Sequence, residues 1–132
     1  MNDLATLRRV LGECRSIAVV GLSADWYRPS YFAAKYMRDR GYRIIPVNPK
    51  YARILDETCY PDLASIPGKV DMVDVFRKPD AVPGIVEDAI AIGAKSVWMQ
   101  EGVVNNAAAD RARAAGLVVV MDRCLLKEHR KL

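Results

Sequence analysis

The sequence predicts an α/β protein: a Rossmann-like parallel sheet of about five strands, in the order 3-2-1-4-5, with helices on both faces. Three observations carry this reading. Short apolar runs at 17–21, 43–47, 70–76, 96–100 and 117–121 recur with helical segments between them, the pattern of parallel strands buried on both sides. The first run, Ser16-Ile17-Ala18-Val19-Val20-Gly21-Leu22-Ser23, ends in glycine and leads to a helix opening at Arg28-Pro29-Ser30. Segment 80–92 spaces Val82, Ile85, Val86, Ala89 and Ile90 as one apolar helical stripe. Right-handed crossovers and short connections then favour the stated order.

Taken along the chain, residues 3–14 read as a leading helix with Leu4, Leu7 and Leu11 on one face. The first crossover helix starts at Pro29, tolerated in a first helical turn, and presents Phe32, Ala33, Tyr36 and Met37 before Gly41. The second strand ends at Asn48-Pro49-Lys50, because the residue before a proline is pushed out of the helical region. The third contains Asp71, Asp74 and Phe76 and is followed by Arg77-Lys78-Pro79, whose proline starts the helix that Gly93 stops. The fourth carries Trp98 and Gln100 at its end, further candidates for ligand contact, although a tryptophan in a strand is more often core. Segment 105–115 is an alanine-rich helix, with Ala108, Ala112 and Ala115 set to lie close to the sheet. With no repeat, linker or low-complexity stretch, residues 1–132 read as a single domain.

Length and composition bound the function. At 132 residues and 52% hydrophobic the chain can bury a core. Its start lacks the charged-then-apolar layout of a signal peptide, and no apolar run approaches the ~20 residues of a membrane span. The expectation is a cytoplasmic protein. Cys14, Cys59 and Cys124 lack the spacing of a disulfide framework or zinc cluster and read as free thiols. The net charge of +4 is spread along the chain, which suits a small anionic ligand. Without a basic helix or an RNA-binding aromatic signature, nucleic acid is not the expected partner.

The ligand crevice of such a sheet lies beyond the carboxyl ends of its strands. It gathers Gly21, Ser23, Arg28 and Ser30 after the first strand, Val47, Asn48, Pro49 and Lys50 at the second, and Phe76, Arg77, Lys78 and Pro79 after the third. A dinucleotide site would read G-x-G-x-x-G, with an acid at the end of the second strand to bond the ribose. This chain has one glycine where three are needed, and Asn48 and Lys50 where the acid belongs. The charge pattern therefore excludes NAD and points to an adenine nucleotide whose ribose carries a phosphate. Arg28 and Ser30 add a guanidinium and a hydroxyl to the helix N–H groups that would hold a pyrophosphate. Each short motif also has a structural reading, as helix start, strand end or surface charge. Their convergence on one edge of the sheet favours the ligand.

At these residues the chain resembles the small stand-alone CoA-binding proteins, a family similar to the CoA-binding domain of the succinyl-CoA synthetase alpha subunit and of ADP-forming acyl-CoA synthetases. The resemblance runs from about residue 17 to 129. It rests on Val19-Val20-Gly21-Leu22-Ser23, Arg28-Pro29-Ser30, Gly41-Tyr42 with Pro46-Val47-Asn48-Pro49-Lys50, Val70-Asp71-Met72-Val73-Asp74-Val75-Phe76-Arg77, Val97-Trp98-Met99-Gln100-Glu101-Gly102 and Val120-Met121-Asp122-Arg123-Cys124. It implies binding of coenzyme A through its ADP moiety, with phosphates near Gly21, Ser23, Arg28 and Ser30. Asn48, Pro49 and Lys50 would flank the adenosine and its 3′-phosphate; Phe76, Arg77 and Pro79 would flank the pyrophosphate and the start of the pantetheine arm. Glu101 departs from the small or apolar residue expected there.

No catalytic constellation emerges. His129, the sole histidine, lies among Lys127, Glu128, Arg130 and Lys131 and reads as a surface or C-terminal helix residue. Cys124 reads as a structural thiol and Asp74 as a partner for a loop N–H. The expectation is a module that binds CoA or an acyl-CoA without catalytic activity of its own, with a homodimer or a separate catalytic chain as its macromolecular partner. The alternative is an NADP-dependent oxidoreductase or another nucleotide-binding enzyme, since Lys50 and Arg77 would also accept a 2′-phosphate.

Overall fold

Each of the apolar runs contributes a strand, with helices between them except after the second, where a short hairpin and a 3-10 turn, Leu63–Ser65, intervene. A computed structural model describes residues 4–132. In chain order the elements are α1 (Leu4–Glu13), β1 (Ser16–Val20), α2 (Pro29–Asp39), β2 (Arg43–Val47), β3 (Arg53–Ile54), β4 (Glu57–Thr58) and β5 (Met72–Val75). There follow α3 (Val82–Ala91), β6 (Ser96–Met99), α4 (Asn106–Ala114), β7 (Val118–Val120) and α5 (Leu125–Arg130). Asp3, placed in the leading helix by the sequence, lies outside the described residues.

The main sheet has five parallel strands in the order β2-β1-β5-β6-β7. Its faces bury alternate residues. Ala18, Val73, Val97 and Val119 meet Val86 and Ala89 of α3 and Ala109 and Ala112 of α4. Ile17, Val19, Met72 and Trp98 meet Leu7 and Leu11 of α1, Ala34 and Met37 of α2 and Leu125 of α5. The class, the five parallel strands and the helices on both faces are as the sequence predicts.

The strand order is a correction. Counting only the strands of this sheet, it is 2-1-3-4-5, where 3-2-1-4-5 is expected from sequence. Two features place the third strand beside β1. The outer edge of β2 is already occupied: Val47 bridges Tyr60, Tyr60 N–H donates to Pro46 O at 3.0 Å, and Asn48 N–H donates to Tyr60 O at 2.9 Å. Pro46 has no N–H to offer a strand on that side, so β2 belongs at an edge. On the other side, Asp71 Oδ2 accepts from the N–H groups of Arg15 at 2.7 Å and Ser16 at 3.1 Å, while Ser16 Oγ accepts from Asp71 N–H at 2.9 Å. This exchange fastens the start of β5 to the start of β1.

Smaller differences follow from packing. The helix after Pro79 begins as a single 3-10 turn, Pro79–Ala81, before α3. In α2 the buried face is Ser30, Ala33, Ala34 and Met37, and Phe32 points outward, half exposed. The antiparallel β3–β4 hairpin turns through Leu55 and Asp56, both at positive φ. Among the described residues no helix is long and apolar enough to cross a membrane.

Candidate functional site

Because β2 and β5 leave β1 in opposite directions, the carboxyl end of β1 is the switch point of the sheet, where open α/β folds form their crevice. Two adjoining recesses open there and share Pro29 and Phe76. The nearer, of about 370 Å³, is lined by Gly21, Ser23, Asp25, Arg28, Ser30, Asn48, Lys50 and Tyr51. The farther, of about 610 Å³, is lined by Arg77, Lys78, Pro79, Gln100, Glu101, Gly102, Val103 and Cys124.

The nearer recess is braced by its own side chains. Ser30 Oγ, buried at the start of α2, accepts from Ser23 N–H at 3.0 Å, and Ser23 Oγ accepts from Asp25 N–H at 3.0 Å. Asn48 ties two loops together: its Nδ2 donates to Leu22 O at 3.1 Å and its Oδ1 accepts from Lys50 N–H at 2.9 Å. Ser23, Ser30 and Asn48 thus shape the loops with the polar groups expected to meet a ligand. In the first turn of α2, Pro29 has no N–H, and the Tyr31 and Phe32 N–H groups turn onto Arg28 O at 3.0 and 3.2 Å. Gly21, at φ 90°, sits so close to β5 that an added Cβ would meet Phe76 O and lie 3.0 Å from Arg77 Cδ.

Cations predominate at the mouth, where Asp25 and the Lys127-paired Glu101 are the acids. Arg28, Lys50, Arg77 and Lys78 are exposed, and none belongs to an ion pair among the described residues. Arg28 lies over the Tyr27 ring, 5.8 Å from its centroid. The other sequence-predicted residues divide: Phe76 and Pro79 line the recesses, whereas Val47 is buried in the core on the α3 and α4 face and Pro49 is exposed outside both. Neither Val47 nor Pro49 offers a side chain to the crevice. Asp25, Tyr51, Gln100, Gly102, Val103 and Cys124 also line it. Of the two residues the sequence offers as further candidates at the end of the fourth strand, Gln100 lines the recess, whereas Trp98 is fully buried and donates through Nε1 to Arg123 O at 2.8 Å.

The farther recess has a wall fastened at several points. Gln100 Nε2 donates to Asp74 Oδ1 at 2.6 Å and Gln100 Oε1 accepts from Leu125 N–H at 3.3 Å. Gly102 N–H donates to Asp122 Oδ1 at 2.8 Å, and Lys127 pairs with Glu101 at 3.0 Å. The unexpected Glu101 is therefore matched by a cation on α5. Asp74 bonds a side-chain amide in place of the loop N–H expected from sequence, and burial pushes its carboxyl up to about 7 against the opposing pull of Gln100. Cys124 is partly exposed just before α5, less buried than its structural reading expects. His129 lies in α5, 2.9 Å through Nδ1 from Tyr36 OH of α2. Among the described residues no group of three or more His, Cys, Asp or Glu is placed to hold a metal.

Comparison with known proteins shows the family and the fold. The family described as "CoA binding domain" matches residues 15–130. The "Uncharacterized protein YneT" of Bacillus subtilis (strain 168) is 38% identical over 125 residues, covering 95% of this chain and 93% of that protein. A solved "hypothetical protein from Pyrococcus horikoshii OT3" superposes with a TM-score of 0.95 at 40% identity, over 98% of this chain and 92% of the other. The similarity extends to "Acetate--CoA ligase [ADP-forming] II" of Archaeoglobus fulgidus, 31% identical over 83 residues, 61% of this chain but 12% of the ligase.

Proposed function

The chain belongs to the CoA binding domain family, and from that premise we propose that it binds coenzyme A, free or acylated, as a single domain with no catalytic activity of its own. The 3′-phosphate meets Lys50, and the pyrophosphate lies between the Gly21–Ser23 turn, Arg28 and Arg77. The pantetheine arm passes Phe76 and Pro79 into the 610 Å³ recess. The observation that carries this reading is the convergence of unpaired cations on a crevice with no acid at the end of β2. A carboxylate there would accept ribose hydroxyls, whereas a cation favours a phosphate on the ribose. Ser23, Ser30 and Asn48 support the site by bracing its loops.

Thermal unfolding in the presence of CoA, dephospho-CoA, NADP, NAD or ATP tests this. A ligand at about 100 times its dissociation constant stabilises the native state by about 2.7 kcal/mol. CoA should raise the midpoint most, dephospho-CoA less, and NAD not at all. A shift with NADP alone overturns the reading in favour of an oxidoreductase.

A further inference from the structure

Asp74 is a carboxyl group 1% exposed in the middle of the sheet, and nothing in the proposed contacts to CoA uses it. Its neighbours define what it can do. In register, β1 presents Val19 and β6 presents Trp98. On the same face α2 contributes Ala34 and Met37, and α5 contributes Leu125. The titratable group that feels Asp74 from just after α1 is Cys14, whose thiol burial pushes up to about 12 and so keeps neutral. Among the described residues no cation pairs with Asp74. Its bonded side-chain partner is Gln100, 4% exposed, which faces the farther recess and holds Leu125 N–H with its other end.

We propose that the Asp74–Gln100 pair is a proton-operated clasp: it positions the first turn of α5, with Cys124, as the wall of the arm recess, and loosens that wall when Asp74 is protonated. The inference rests on the CoA reading of the crevice. The chemistry follows from the donor and acceptor inventory. Ionised Asp74 accepts only, so it draws the Gln100 NH2 toward itself and leaves the amide oxygen for Leu125 N–H. A protonated carboxyl keeps a carbonyl oxygen for the Gln100 NH2, but the charge-assisted bond becomes a neutral one of about half the strength. Gln100 is then held less firmly, and with it the Leu125 N–H that its amide oxygen accepts. The tie from Gln100 to the start of α5 loosens beside the Glu101–Lys127 pair that closes the same wall. Burial, which raises the Asp74 carboxyl to about 7, places this change near neutral pH.

The test compares CoA with its truncated form lacking the pantetheine arm, 3′-phosphoadenosine 5′-diphosphate, by calorimetric titration from pH 8 to 6. Wild type and Asp74→Asn are measured side by side so that ligand ionisation cancels. Asn offers Gln100 a neutral carbonyl oxygen at every pH, as the protonated carboxyl does, and cannot titrate. The preference of wild type for CoA over the truncated ligand should fall roughly threefold to tenfold relative to Asp74→Asn on acidification, the effect of weakening a charge-assisted hydrogen bond to a neutral one. Parallel preferences in the two proteins overturn the clasp while leaving CoA binding intact; no binding of either ligand overturns the CoA reading itself. The clasp is also read without ligand, by NMR of the full chain. The Gln100 side-chain amide and the Leu125 N–H should shift together with a midpoint near pH 7 in wild type and stay fixed in Asp74→Asn. Signals that do not titrate in wild type overturn it independently of any ligand.

Discussion

Gly21 invites a ligand explanation, because glycine at the end of a first strand lets a phosphate approach the backbone. Its immediate constraint is internal. At φ 90°, with Phe76 O where a Cβ would stand, it admits no side chain unless β1 and β5 separate. Gly21→Ala should therefore destabilise the protein by roughly 1–3 kcal/mol, the usual range for overpacking, seen as a lower urea midpoint with or without CoA. Binding loss in that variant would report the fold as much as the site. Lys50 is the cleaner probe of recognition: its ammonium is exposed and unpaired, so truncation leaves no buried partner behind. Lys50→Ala should weaken CoA roughly threefold to tenfold, as expected for one exposed charge contact, and change dephospho-CoA less than twofold. Calorimetry with both ligands checks it, and equal losses would move the 3′-phosphate elsewhere.

At the scale of elements, what the sequence carried was periodicity, and what it hid was pairing. The stripe of Val82, Val86 and Ala89 and the runs ending at Gly21 and Lys50 were legible because burial on a helix or strand repeats along the chain. The third strand was misplaced because hydrophobic runs do not say which neighbour they choose, although Pro46, which cannot donate on its outer side, marks β2 as an edge. The β3–β4 hairpin escaped because strands of two residues have no period to detect. The role of α5 was likewise hidden: His129 reaches Tyr36 OH at 2.9 Å and stacks edge-on against Tyr36 and Tyr42, joining α5 to α2. Burial, and then the charge of Arg40, lower its pKa below the ordinary 6.5. The fold thus favours neutral His129, and the stability it gives is present above pH 6.5 and lost as pH falls below that value. His129→Phe should cost about 1 kcal/mol at pH 7.5, one hydrogen bond's worth. The gap to wild type should narrow at pH 5.5 in urea unfolding; a constant gap would show that the proton is not felt there.

Across the whole molecule, the parallel sheet sets stability against function at one carboxyl. The order β2-β1-β5 opens the crevice at β1, and the strands beside it end in loops that supply its cations. The part of this chain that aligns with the ligase relative, 61% of it, makes up 12% of that protein's length. Asp74 sits at the centre of that sheet, where an apolar residue would pack at least as well, and the fold bears the cost of its ionisation. Its folded value of about 7 lies above the ordinary 3.8. Between those values the folded protein holds a proton that the unfolded chain has released, so stability that is complete below pH 3.8 declines as pH rises through about 7. Asp74→Asn removes this decline, and at pH 8 it should be more stable than wild type by on the order of 2–4 kcal/mol. Near pH 4 the two proteins should unfold at similar urea concentrations. Such a gain at alkaline pH would mark Asp74 as a residue kept for what its charge does to Gln100 and the arm recess, the pattern in which a site retains a locally unfavourable group. Equal stability of the two proteins at pH 8 would mean that the pair with Gln100 already compensates the buried charge.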